Sequence, residues 1–147
     1  MRIIVAQETF DPGAELSRFS QDQPDMGAVV SFTGIVRQNS DGSLRALEIE
    51  HYPGMTQSAV EAMAVEARRR WSLGDVMVIH RYGSLGPGVP IMMVATSAPH
   101  RVDAFEAAEF LMDYLKSRAP FWKKEVTDDG ADWVAAKAED EAALTRW

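Results

Sequence analysis

The chain has no cysteine among its 147 residues. That excludes disulfides, thiolate zinc sites and any persulfide or cysteine-nucleophile chemistry carried by the chain itself. It also lacks an apolar run approaching the ~18–20 residues needed to cross a bilayer. Its opening, MRIIVAQETF, turns polar too soon for a secretory signal. A cytoplasmic protein without membrane contact is the expectation. Histidine is scarce: His51, His80 and His100 show no ligand spacing, so no metal site is expected. His80, alternating along a strand, reads as a satisfied core or surface residue. Positive charge is also in deficit, 15 basic residues against 22 acidic ones for a net charge of −7. A general nucleic-acid binder needs the opposite balance.

What remains is the composition of an ordinary globular protein, 46% hydrophobic and 25% charged. The length suits one domain, 1–147, able to bury its own core. Against the acidic background one basic cluster stands out: Lys116, Arg118, Lys123 and Lys124, with no acid between 116 and 124. Such a cluster is either reserved for an anion or is a solvated helix end.

The patterning predicts a strand at Arg2–Ala6, a short helix at Ala14–Gln21 and a buried strand at Gly27–Val36. Asn39-Ser40-Asp41-Gly42 is a turn signal that leads into a strand at Leu44–His51, and the two strands read as a hairpin. After Pro53-Gly54, apolar residues at helical spacing mark a helix over 55–71. Strands follow at Asp75–Arg81 and Pro90–Ser97, separated by a GSLGPG loop. A long helix over Arg101–Arg118 is ended by Pro120. Trp122–Val126 and Ala131–Val134 form a second hairpin, and Ala138–Trp147 a short terminal helix. The expected class is α+β: a mixed or antiparallel sheet packed with two main helices, plus a small β subdomain.

Three segments put polar groups where packing does not require them. Ser31–Arg37 ends a strand with Gly34 and delivers Arg37, either to an anion or to a surface acid. Ser97-Ala98-Pro99-His100-Arg101 opens the long helix, where free N–H groups favour an anion but a polar cap would look the same. Lys116 and Lys123 flank Pro120, Phe121 and Trp122. Aromatic walls there can exclude water and lower a lysine's pKa, although a basic last turn also suits the helix dipole.

Taken in order, SFTGIVR, EHYPGM, EARRRW, VIHRYGSLGPG, SAPHR, MDYLKSRAPFWKKE and Trp133 resemble the large, catalytic subunit family of molybdopterin synthase, from about Gly27 to Trp133. LKSRAPFWKKE is the most specific piece. The resemblance implies a sulfurtransferase of molybdenum cofactor biosynthesis that converts cyclic pyranopterin monophosphate into molybdopterin. Sulfur would arrive on a small ubiquitin-like subunit whose C-terminal Gly-Gly ends in a thiocarboxylate, and no other cofactor is implied. The assembly implied is a homodimer within a heterotetramer. Lys116 and Lys123 match the catalytic positions. Phe32, Ile35, Val36, Arg37, His100, Arg101, Lys124, Glu125 and Lys137, with the two lysines, match the substrate pocket.

Two positions depart from the family pattern: Val89, where an acid is frequent, and Lys137, where an arginine is common. Lysine keeps the charge but loses the bidentate fork. Two other classes fit the same residues, a non-catalytic phosphate- or pterin-binding module and a docking scaffold for a ubiquitin-like partner. Helix spacing bears on the homodimer that the resemblance implies. In an unbroken helix His100 and Lys116 lie about 24 Å apart at ~1.5 Å per residue, too far for one pterin monophosphate. Either the helix kinks or a second copy supplies His100 and Arg101.

Overall fold

A computed structural model describes residues 1–135 and 137–147. Two four-stranded sheets share the chain. The first runs in the order β1 (Arg2–Ala6), β4 (Asp75–Arg81), β6 (Pro90–Ala98), β2 (Ala28–Ile35). β1 is parallel to β4, and the other pairings are antiparallel.

Strand alternation sorts the core of this sheet. Val76 and Val78 of β4, with Met92 and Val94 of β6, face the helices α2 (Met55–Arg70) and α3 (Arg101–Ser117). Met77, Ile79, Met93 and Ala95 face the other way, onto Phe19 and Leu16 of α1 (Pro12–Phe19). Both faces are covered, which is why β4 and β6 read as continuous apolar runs. Thr96, fully buried, donates its hydroxyl to the Ala104 carbonyl at 2.7 Å and fastens β6 to α3.

The second sheet runs β5 (Gly83–Leu85), β3 (Leu44–His51), β7 (Phe121–Thr127), β8 (Gly130–Trp133), antiparallel throughout. Its core is Val36, Leu44, Leu47, Ile49 and Leu85. The chain closes with α4 (Ala138–Ala143) and a 3₁₀ turn over Leu144–Arg146. Arg146 forks to Glu109 at 2.5 Å and Asp113 at 2.6 Å, and Ser117 donates to the Asp140 carbonyl, so this tail lies along α3.

The α+β class and the mixed sheet are as the patterning implies, but four local expectations are corrected. β2 and β3 are not a hairpin: β2 pairs only with β6, while β3 joins the other sheet. The Asn39–Gly42 turn does form, with Gly42 N–H bonding the Asn39 carbonyl at 3.0 Å and φ +72° at Gly42. It redirects the chain between sheets rather than back along β2. Nor is β2 buried; it is an edge strand with Val29, Phe32 and Ile35 exposed. The GSLGPG segment is not wholly loop, since Gly83–Leu85 pairs with Leu47–Ile49. Finally, α1 begins at Pro12, because Asp11 caps the Ala14 N–H and proline suits the first helical position.

Candidate active site

The site forms where the last turn of α3 meets the first residues of β7. Arg118 N–H bonds the Tyr114 carbonyl at 2.7 Å and closes the helix, and Pro120 prevents its continuation. The chain therefore turns at once into a strand. On β7, Phe121, Lys123 and Glu125 point to one face and Trp122 and Lys124 to the other. The inward face borders a cavity of about 480 Å³.

Six of the expected residues converge there: Val36, Arg37, Lys116, Lys123, Glu125 and Lys137. Arg37, Lys116 and Lys137 are exposed at its rim, and Lys123 is half-buried. Among the described residues none of these four cations makes an ion pair. The alternative in which Arg37 simply pairs with a surface acid is therefore not what the fold contains. Burial pushes the Lys123 ammonium below its usual range, Lys116 repels it, Asp140 opposes the shift, and Lys137 adds to it. Four cations without a direct ion pair, against the carboxylates of Glu125 and Asp140 in the same lining, one of them readier than usual to give up its proton, suit an anionic ligand and proton transfer.

The remaining expected residues lie elsewhere in the chain. Phe32 lines an adjoining, more apolar groove of about 470 Å³ between β2 and α3, which also touches Lys116 and Asp140. Ile35 is exposed on the edge strand. Lys124 lies over the Trp133 ring, 4.5 Å from its centroid. His100 and Arg101 are exposed at the far end of α3, which runs unbroken through all 17 residues. The kink that would bring them to Lys116 is not there.

Two further lining residues bear on the chemistry although nothing singled them out as site residues. Asp140 of α4 borders both recesses; nothing in its acidic neighbourhood marks it. His80 is buried in the cavity wall, stacked on Phe121 with ring centroids 3.7 Å apart. Its signal was the place it occupies, a polar residue continuing the alternation of Val76 and Val78 on the same face of an apolar strand.

The fold defines an α+β protein in which a half-buried lysine faces a recess suited to an anion. The MoaE protein family matches residues 5–118. The molybdopterin synthase catalytic subunit of Cereibacter sphaeroides is 65% identical over 147 residues, covering all of both chains. The solved structure of the molybdopterin biosynthesis MoaE protein from Burkholderia ambifaria MC40-6 is similar with a TM-score of 0.84 at 51% identity, covering 99% of this chain and 97% of that one. The molybdopterin synthase crystal structure from Staphylococcus aureus is similar with a TM-score of 0.81 at 32% identity, covering 90% and 96%. The chain belongs to the MoaE protein family.

Proposed function

We propose that this chain is the catalytic subunit of a molybdopterin synthase, transferring two sulfurs to cyclic pyranopterin monophosphate from the thiocarboxylated C-terminus of a small ubiquitin-like partner. The observation that carries the reading is the meeting of Lys116 and Lys123 in a recess rimmed by unpaired cations, in a chain with no sulfur nucleophile of its own. Family membership supports the same chemistry.

Arg37 and Lys137 are suited to hold the phosphate, the arginine with two parallel N–H donors. The thiocarboxylate sulfur attacks a substrate carbon, forming a C–S bond while a C–O bond at that carbon breaks and the oxygen leaves protonated or on the phosphate, so that the partner stays attached as a thioester. Water then adds to the acyl carbon; the C–S bond to the partner breaks, the partner departs as a carboxylate, and the sulfur stays on the pterin. Lys123, with its lowered pKa, is the proton carrier, and Lys116 the ammonium that steadies the oxyanion during hydrolysis. A second round completes the dithiolene.

The straight α3 favours a shared pocket, in which His100 and Arg101 of a second copy complete the recess holding Lys116. Among the described residues no helix is long and apolar enough to cross a membrane, which is consistent with a cytoplasmic setting.

The test mixes the purified chain, a thiocarboxylated small subunit and cyclic pyranopterin monophosphate, and assays for dithiolene. Product from the wild type and none from Lys116→Ala or Lys123→Ala is expected. Pterin binding without product would identify a binding module. Partner binding without pterin binding would identify a scaffold.

A further inference from the structure

His80 has no part in the chemistry above, and its position is costly for a polar side chain. It sits on the helix-facing side of β4, in line with Val76 and Val78, and is only 4% exposed. A valine or leucine would fill such a place without any polar group to satisfy.

The ring's hydrogen bonding fixes its state. Nδ1 lies 2.8 Å from the Arg81 carbonyl oxygen, which can only accept, so Nδ1 carries the proton. Burial drives the pKa down to about 3, so the ring is neutral at physiological pH and Nε2 holds a bare lone pair. Among the described residues nothing donates to Nε2. Yet no buried side-chain nitrogen or oxygen there is left without a partner. Nε2 therefore belongs to the small part of the ring that reaches the cavity His80 lines. The stack on Phe121, 3.7 Å between centroids and 15° between planes, holds it in that orientation.

Of the charged residues in the lining, Arg37, Lys116, Lys123 and Lys137 offer only N–H groups, while Glu125 and Asp140 carry carboxylates. A phosphate suits the four cations and is repelled by the lone pair of Nε2. We propose that Nε2 of His80 is a recognition atom of the cavity, accepting a hydrogen bond from an N–H of the bound heterocycle and so fixing which way round the ligand lies. This rests on the pterin reading above. It makes His80 a specificity-determining residue for the ring system, distinct from the cations that suit the phosphate.

The test is binding of cyclic pyranopterin monophosphate and, separately, inorganic phosphate to the wild type, His80→Phe and His80→Gln. Phenylalanine keeps the stack and removes the acceptor; glutamine supplies a carbonyl. His80→Phe should weaken the pterin about tenfold, the worth of one hydrogen bond, and leave phosphate unchanged, with His80→Gln intermediate. Equal pterin affinity in His80→Phe, or equal loss of pterin and phosphate, overturns the assignment. A wild type that binds phosphate but not the pterin removes the pterin reading itself. A measurement on the unaltered protein guards against misfolded variants. In ¹⁵N-histidine-labelled chain the Nε2 resonance of His80, assigned with His51→Gln and His100→Gln, should be of the imine type. It should move on addition of the pterin but not of phosphate. A protonated Nε2, or no movement, also overturns the assignment.

Discussion

Lys123 and Lys124 are neighbours in sequence and opposites in space: one enters the cation-rimmed cavity, the other lies over the Trp133 ring at 4.5 Å. Strand alternation alone separates them. Lys123→Ala should abolish dithiolene formation. Lys124→Ala should lower turnover far less and cost about 0.5–1 kcal/mol of stability, the scale of an exposed cation–π contact. Single-turnover assays and urea denaturation of the two variants side by side check this.

The buried ammonium of Lys123 carries a stability cost of definite sign. Its folded pKa lies below the unfolded 10.5, so the folded state disfavours the proton. Stability tied to this group is present above pH 10.5 and is lost as pH falls through the folded pKa. At neutral pH, well below 10.5, the wild type lacks that stability. Lys123→Met should be inactive yet more stable at pH 7, by on the order of 1 kcal/mol, with the difference shrinking toward pH 10.5. Thermal melts across that range measure it.

His80 works in the acid range. Its folded pKa of about 3 lies below the ordinary 6.5, so its contribution is present above pH 6.5 and is lost as pH falls toward 3. His80→Phe should show a flatter fall in stability between pH 6.5 and 3 than the wild type, by up to roughly 1.4 kcal/mol per pH unit. Denaturant titrations at pH 7, 5 and 4 give the two slopes.

A different kind of polar burial holds the entrance to α2. Thr56, fully buried, donates its hydroxyl to the Tyr52 carbonyl at 2.8 Å and so accepts from His51 Nδ1 at 3.1 Å. Thr56→Val leaves the Tyr52 carbonyl with only the Thr56 backbone N–H at 2.9 Å and deprives His51 Nδ1 of its acceptor, and should destabilise the fold by about 1 kcal/mol, read by denaturant midpoint.

If His100 serves the pocket of a second copy, inactive chains should rescue one another. In a mixed pair of His100→Ala and Lys116→Ala chains, one pocket combines an intact Lys116 with an intact His100, and the other has neither. Co-expression in equal amounts should restore about a quarter of wild-type turnover, since half of the pairs are mixed and each has one good pocket of two. No recovery would mean that each chain uses its own His100.

Much of this arrangement was legible in the sequence where local chemistry decides. Arg2–Ala6 and Asp75–Arg81 form strands over those residues, and the long helix ends before Pro120. The lysines were legible because Phe121 and Trp122 separate them, and the chain must reverse at the proline. Pairing was not legible. The β-branched run Ala28–Ile35 reads the same on an edge as in a core, and the turn at Asn39–Gly42 does not say which sheet receives the next strand. The separation of His100 from Lys116 followed from helical rise alone, and the unbroken α3 bears it out. Asp140 was invisible, because its placement depends on how the tail lies along α3.

The outer rim of β2 has practical weight at the bench. Val29, Phe32 and Ile35 stand bare there beside backbone amides and carbonyls with no neighbouring strand, an arrangement that invites any extended peptide to add itself. Preparations of the lone polypeptide should turn cloudy or smear on a sizing column as they are concentrated, and lysine at position 32 should clear them.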